Sequence, residues 1–232
     1  LHEKIHPSTH VSAEYDVVVS NWIGVLNISL LHIRHIGWHS FGLIEYSRNY
    51  GTPIVFSFHD FYTVCPTVKL LDGDKQYCGG VCSKTSNQCV PELWPAKQLS
   101  NLNDFEVYTR QRRFRKYLCY ISSFVTTSES TKEVLSNVYP MISPDTFHVI
   151  PHGRDFIEFS QLAKYPEKNK KFRLVCPGNI NVAKGLAFIN ELAEVASDIL
   201  EIHIVGKVSN EVRLSSKLIL HGEYERDQLL SL

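Results

Sequence analysis

Pro53-Ile54-Val55-Phe56-Ser57-Phe58-His59-Asp60-Phe61-Tyr62 is an apolar run of strand length that ends abruptly in an imidazole and a carboxylate. About 120 residues later, Phe172-Arg173-Leu174-Val175-Cys176-Pro177 ends in the same manner, running through Gly178 and Asn179 to Lys184-Gly185. Apolar runs of this length, bounded by turn residues, read as buried strands. In open α/β sheets, ligands bind just beyond the carboxyl ends of the strands. Two such loops predict two successive α/β domains that grip one substrate in a cleft between them.

The flanking sequence extends this pattern. Residues 29–36 read as a strand, 40–49 as a helix and Gly51-Thr52-Pro53 as the turn into the run at 53–58. That strand–helix–strand order predicts a parallel sheet. Upstream, Tyr15, Val18, Val19, Trp22, Ile23 and Leu26 recur at helical spacing, which predicts a buried face behind an N-cap at Ser12. Downstream, residues 65–95 lose periodicity; a loop of that length in a compact domain is usually functional. A helix is expected over 99–117, a strand over 121–127, a helix over 129–137 capped by Ser128, and a strand over 147–150. Residues 160–171, with Pro166 and several lysines, read as a linker. Then follow a strand (172–177), a helix (184–197) and strands at 201–205 and 217–221, with 225–232 resembling the first turns of another helix. The expected organisation is therefore a domain over 1–155, a linker over 156–171 and half of a second domain over 172–232.

Composition narrows the function classes. The chain has 232 residues, 24 basic and 24 acidic side chains and no net charge, so no global field draws it to nucleic acid. No apolar stretch approaches the roughly 20 residues of a membrane span, and no secretory leader is present. The expected location is cytoplasmic, with peripheral membrane contact left open. The first residue is Leu1 and the single Met is Met141, so the sequence reads as a fragment.

His59-Asp60-Phe61-Tyr62 with Cys65-Pro66, then Ile150-Pro151-His152-Gly153-Arg154-Asp155, then Pro177-Gly178-Asn179-Ile180 leading to Lys184-Gly185, form an ordered set at characteristic spacings. From about Leu31 onward this set resembles the retaining GT-B glycosyltransferases of family 4. The resemblance implies two Rossmann-like domains with parallel sheets, both incomplete here, and transfer of a sugar from a nucleotide-sugar donor to a saccharide or lipid-linked acceptor. It places a glycine-rich acceptor loop before Leu1 and an acidic motif for the donor's sugar and ribose after Leu232. It further implies that His59 lies near the donor sugar and that Lys184 meets its diphosphate. Gly178, Asn179, Gly185 and Gly206 would complete the donor side, and His152-Gly153 would mark the hinge. His35, His39, Asp60 and Tyr62 are the acceptor-side candidates. Asn179 departs from the family, which often has Arg there; an amide can bond a phosphate without neutralising it.

Read on their own chemistry, several of these residues keep a second meaning. His59 is either a donor that stabilises developing charge or a core histidine. The Gly178–Gly185 segment lacks both Gly-Lys-Ser/Thr and G-x-G-x-x-G, yet a strand, a tight turn and a helix start still aim N–H groups at an anion. Arg34, next to His35 in an apolar strand, reads as either an ion pair within the sheet, the favoured reading, or an acceptor contact at its mouth. Cys65, Cys78, Cys82 and Cys89 stand 13, 4 and 7 residues apart. Structural zinc, reduced thiols and disulfides are all open to them, whereas Cys119 and Cys176 read as core. Arg110 to Tyr117 is either a solvated helix face or, with Phe114 and Tyr117, a membrane-surface contact. The reading favoured is a glycosyltransferase that requires no catalytic cofactor. Its rival is a noncatalytic sugar- or nucleotide-binding module on the same fold.

Overall fold

The strand β2 (Ile54–Phe58) buries Ile54, Phe56 and Phe58 to 1–3% exposure, while Val55 and Ser57 on its other face are half-buried. This alternation follows from the two-residue period of a strand. The computed structural model describes residues 5–82, 89–91, 104–153, 171–210 and 212–225. Around β2 lie β1 (Leu31–Ile33), β3 (Ser123–Thr126) and β4 (Phe147–Val149), in the order β1-β2-β3-β4 and all parallel. Phe56, Phe124 and Phe147 are cross-strand partners. The Phe124 ring stacks on Phe58 at 5.5 Å and on Phe147 at 5.1 Å. Each buried ring contributes roughly 1.5–3 kcal/mol, so this aromatic row is the backbone of the core.

Helices α1 (Ala13–Val25) and α2 (Gly42–Asn49) pack on one another, and the Asp16 carboxylate sits where a side chain on Gly42 would begin. Ser12 caps α1 as expected, accepting the Tyr15 N–H at 3.2 Å. The predicted buried face of α1 is largely wrong. Val19 and Ile23 are buried, but Val18, Trp22 and Leu26 are 41–63% exposed. Burial is confined to the narrow Val19–Ile23 stripe, which leaves the flanks of the helix's apolar arc in solvent.

Helix α3 (Asp104–Leu118) carries the basic run; the structure turns Arg110 and Phe114 inward and leaves Arg112, Arg113, Arg115 and Lys116 exposed. Val107, Arg110, Phe114 and Leu118 form its buried stripe. Arg110 donates to the carbonyls of Pro7 (2.8 Å) and Tyr62 (2.9 Å), with its guanidinium over the Tyr62 and Phe114 rings. Arg113 bonds the Ser8 carbonyl, and Lys116 reaches Glu45 at 3.5 Å. Tyr117 stacks on Phe41 at 4.0 Å. The two aromatic rings that a membrane contact would use are thus occupied inside. Cys119, expected in the core, is exposed. Helix α4 (Glu129–Val138) begins at Ser128, whose hydroxyl accepts from Thr131 N–H.

The chain divides into two units, Leu1–His152 and Gly153–Leu232. In the second, β5 (Phe172–Pro177), β6 (Leu200–Val205) and β7 (Leu218–Gly222) form a parallel sheet in that order. Helix α5 (Leu186–Val195) packs Leu186 and Ala193 against Ile202 and Ile204. Strand β5 is not the buried strand its sequence suggests: Phe172 is 80% and Val175 55% exposed, because β5 is an edge strand with only its Cys176 side turned to α5. The helix expected at 184–197 is also interrupted. Residues Val182–Lys184 form a 3-10 turn, Gly185 takes a left-handed conformation (φ 81°), and α5 starts after it. The linker at 160–170 and the helix turns at 226–232 lie outside the described residues. Among the described residues no helix is long and apolar enough to cross a membrane.

Candidate functional site

All four strands of the first sheet run the same way, so their carboxyl ends share one edge. His35 follows β1 there, and His59-Asp60 follow β2. The edge brings these three side chains together, although His35 and Asp60 are 25 residues apart in sequence. Asp60 Oδ2 lies 3.3 Å from His35 Nε2 and 3.5 Å from His59 Nε2. Its other oxygen accepts the Tyr62 N–H at 2.9 Å. Among the described residues these three form the group of metal-capable side chains whose ligand atoms lie within 4.8 Å of one another.

The hydrogen bonds fix one proton position. Gly37 N–H donates to His35 Nδ1 at 3.0 Å, so that nitrogen presents its lone pair. The His35 proton is then on Nε2, directed at Asp60. Burial alone would raise the Asp60 carboxyl. The His35 hydrogen bond, the Tyr62 N–H and the charges of His35 and His59 outweigh it and hold Asp60 below its ordinary value. Asp60 therefore stays a carboxylate that both imidazoles can lean on. His59 is 42% exposed, and its Nδ1 has no partner among the described residues. It is a half-open imidazole fixed from behind.

Two acceptor-side candidates do not join this group. Tyr62 is 1% exposed, and its hydroxyl lies 3.0 Å from the Pro7 carbonyl and 2.9 Å from His10 Nε2. It is a core residue clamped beneath Arg110. His39 Nδ1 meets the Tyr15 hydroxyl at 2.6 Å, and its carbonyl holds His10 Nδ1 at 2.9 Å. Burial and the charge of His35 lower its pKa. The ion pair favoured for Arg34 does not form: β1 ends at Ile33, so Arg34 is exposed beyond the strand with no ion-pair partner among the described residues. It adds a cation to the same edge.

His10 was invisible to the sequence reading. It is 1% exposed among Phe41, Tyr62 and Phe114, and nothing local in its sequence signals partners 29 to 52 residues away.

In the second unit the turn after β5 is built on two glycines. Gly178 has φ 97° and Gly206 φ 139°, and a Cβ on Gly206 would collide with the Gly178 carbonyl. Gly178 N–H donates to Val205 O at 2.8 Å, and Ile180 N–H to Lys207 O at 2.8 Å. Asn181 accepts the Lys184 N–H at 3.0 Å, closing the 3-10 turn and leaving the Lys184 ammonium exposed with no ion pair among the described residues. Asn179 is exposed beside it. Gly206→Ala should therefore speed hydrogen exchange at the Gly178 amide by about 30-fold or more, equivalent to about 2 kcal/mol of strain. Gly153→Ala should change nothing comparable. Although the unit boundary falls at His152/Gly153, Gly153 is outside the left-handed region and has open space around it.

Cys65, Cys78, Cys82 and Cys89 all line one cavity of about 40 Å³. No disulfide joins them. At the start of the loop Leu70 is fully buried in the core of the first unit, as is Val64 just before it.

A solved structure similar to this chain is that of WaaB, a lipopolysaccharide outer core galactosyltransferase in its apo form. The TM-score is 0.50 at 10% identity, covering 94% of this chain and 50% of that one. A second is Anabaena Alr3699/HepE in complex with UDP and glucose, with a TM-score of 0.42, 11% identity, and coverage of 93% and 53%. This chain spans about half the length of both. No curated protein matches its sequence. The likeness to WaaB shows the fold, two parallel α/β sheets of the GT-B type. The model of Glycosyltransferase Family 4 matches residues 7–156, well over half of the chain and the whole of the histidine edge. With that span matched, the chain belongs to Glycosyltransferase Family 4.

Proposed function

We propose that this chain is part of a retaining glycosyltransferase that moves a sugar from a nucleotide-sugar donor to a saccharide or lipid-linked acceptor. The observation that carries the reading is the His35–Asp60–His59 group at the carboxyl edge of the sheet, in a chain of this family. The bond from the anomeric carbon to the donor phosphate breaks as the acceptor oxygen attacks from the same face. The acceptor's proton passes to the departing phosphate oxygen, so no carboxylate base is needed. Catalysis then rests on placement and on stabilising negative charge on the leaving diphosphate. Lys184 supplies the compensating positive charge in the second unit; its ammonium has no competing ion-pair partner among the described residues. His59 supplies a donor beside the glycosyl oxygens, and Asp60 sets its orientation.

The test is release of nucleoside diphosphate by the full-length protein from a panel of nucleotide-sugars with candidate acceptors. Lys184→Ala should lower kcat/KM for the donor about 10- to 100-fold, the worth of one charge-assisted contact. Lys184→Arg should recover part of the loss, and unchanged turnover in the alanine variant removes Lys184 from the mechanism. Asn179 favours a second reading, a noncatalytic binding module, because it leaves this loop one cation short of the family pattern. Saturable nucleotide-sugar binding without diphosphate release would select that reading.

A further inference from the structure

We propose that Cys65, Cys78, Cys82 and Cys89 form a structural zinc site that ties the long loop after β2 into one piece. This does not rest on the glycosyltransferase reading. Four thiols spread over 25 residues of loop converge on the wall of a single cavity. At about 40 Å³ it has room for an ion, since a water needs only about 10–15 Å³ measured this way. Much of the remaining wall is apolar, including Leu71, Val81 and Val107. Asp72 also lines the wall, but its Oδ1 is taken by the amides of Asp74 and Gln76; the four thiols are the soft donor set, which matches tetrahedral zinc with no position left open for substrate.

Loop backbone geometry points the same way. Val68, Leu70 and Lys75 have φ of 66°, 55° and 64°, where side chains are disfavoured by about 1–2 kcal/mol each. A segment that holds three such residues needs something to over-determine it. The chain offers local hydrogen bonds, Cys78 N–H to Leu70 O at 2.9 Å and Asp72 Oδ1 to the amides of Asp74 and Gln76. A four-sulfur cross-link would do far more. The sulfurs are not as tightly gathered as the His35, His59 and Asp60 ligand atoms, so the ion would draw them inward, displacing one proton for each thiol it binds. Cys65 sits one turn beyond Asp60, with its N–H on the Phe61 carbonyl at 2.9 Å. The ion would thereby anchor the strand-end loop that presents His59 and Asp60.

Protein expressed with zinc and purified under reducing conditions without chelators should contain about one zinc per chain. Cobalt exchanged into it should show the intense near-ultraviolet thiolate-to-metal absorption of a tetrahedral sulfur site. Cys82→Ser and Cys89→Ser should each lose the metal, while His35→Ala and His59→Ala retain it. If the serine variants fail to fold, the cobalt spectrum of the unmutated chain still decides between sulfur and nitrogen–oxygen ligands. Three outcomes overturn the site: no bound metal with all thiols open to a thiol reagent in the native protein, metal that follows the two histidines, or disulfides among the four cysteines in freshly isolated protein.

Discussion

On the proposed function, His59→Ala in the full-length protein should lower kcat about 10²- to 10³-fold with little change in donor KM. That is the usual effect of removing one preorganised donor from developing transition-state charge. The geometry isolates this residue. Its ring is fixed by Asp60 at 3.5 Å, leans on His35 at a ring distance of 5.4 Å, and leaves one nitrogen unpartnered among the described residues. Asp60→Asn should act through both rings. The amide can still accept the Tyr62 N–H through its oxygen, but its NH₂ then faces two imidazole nitrogens, one of which carries a proton. That donor-to-donor clash forces His35 or His59 to turn. A smaller loss of about tenfold in kcat is expected, with the acid limb of the pH–rate profile displaced, which a purely structural defect would not produce. A kcat for His59→Ala within twofold of the parent would end the catalytic assignment of this edge.

How much of this site could be read beforehand depends on the range of the interactions. The strand at 54–58, the caps at Ser12 and Ser128 and the position of His59-Asp60 are written in contiguous residues, because alternation, capping and strand ends are local chemistry. His35 was reachable because parallel strands deliver their ends to one edge. Tyr62, read as a cleft residue, is buried for the opposite reason, and His39 is held by contacts of the same kind. Of their partners, Pro7 and His10 precede any periodic pattern, Tyr15 stands in the first turn of α1, and Arg110 arrives from 48 residues beyond Tyr62. The break at Gly185 was legible in principle: Asn181 three residues before Lys184, with a glycine next, is a turn-closing arrangement. The exposure of Trp22 and of β5 was not, since a periodic apolar face does not say how wide its partner will be.

The N-terminal segment also makes the first unit sensitive to acid. His10 is buried between Tyr62, Phe41 and Phe114, and burial drives its pKa down from 6.5 to about 3, with Arg110, Arg113 and His35 adding repulsion and only the His39 carbonyl opposing. In the unfolded chain the same imidazole takes a proton below about pH 6.5. Between pH 6.5 and 3 the unfolded state therefore binds more protons than the folded one, so stability rises with pH and is lost on acidification. The slope from this one group approaches about 1.4 kcal/mol per pH unit. His39, also lowered, acts in the same direction from the same starting pH. Asp60, held below 3.8, adds its own loss only in stronger acid. The urea midpoint should fall steeply from pH 7 to 5, long before carboxylates titrate. His10→Gln removes the proton site and sacrifices packing, so it should be less stable at pH 7.5, with a flatter curve that converges on the parent near pH 5. Parallel curves for the two proteins would show that His10 is not the group being titrated.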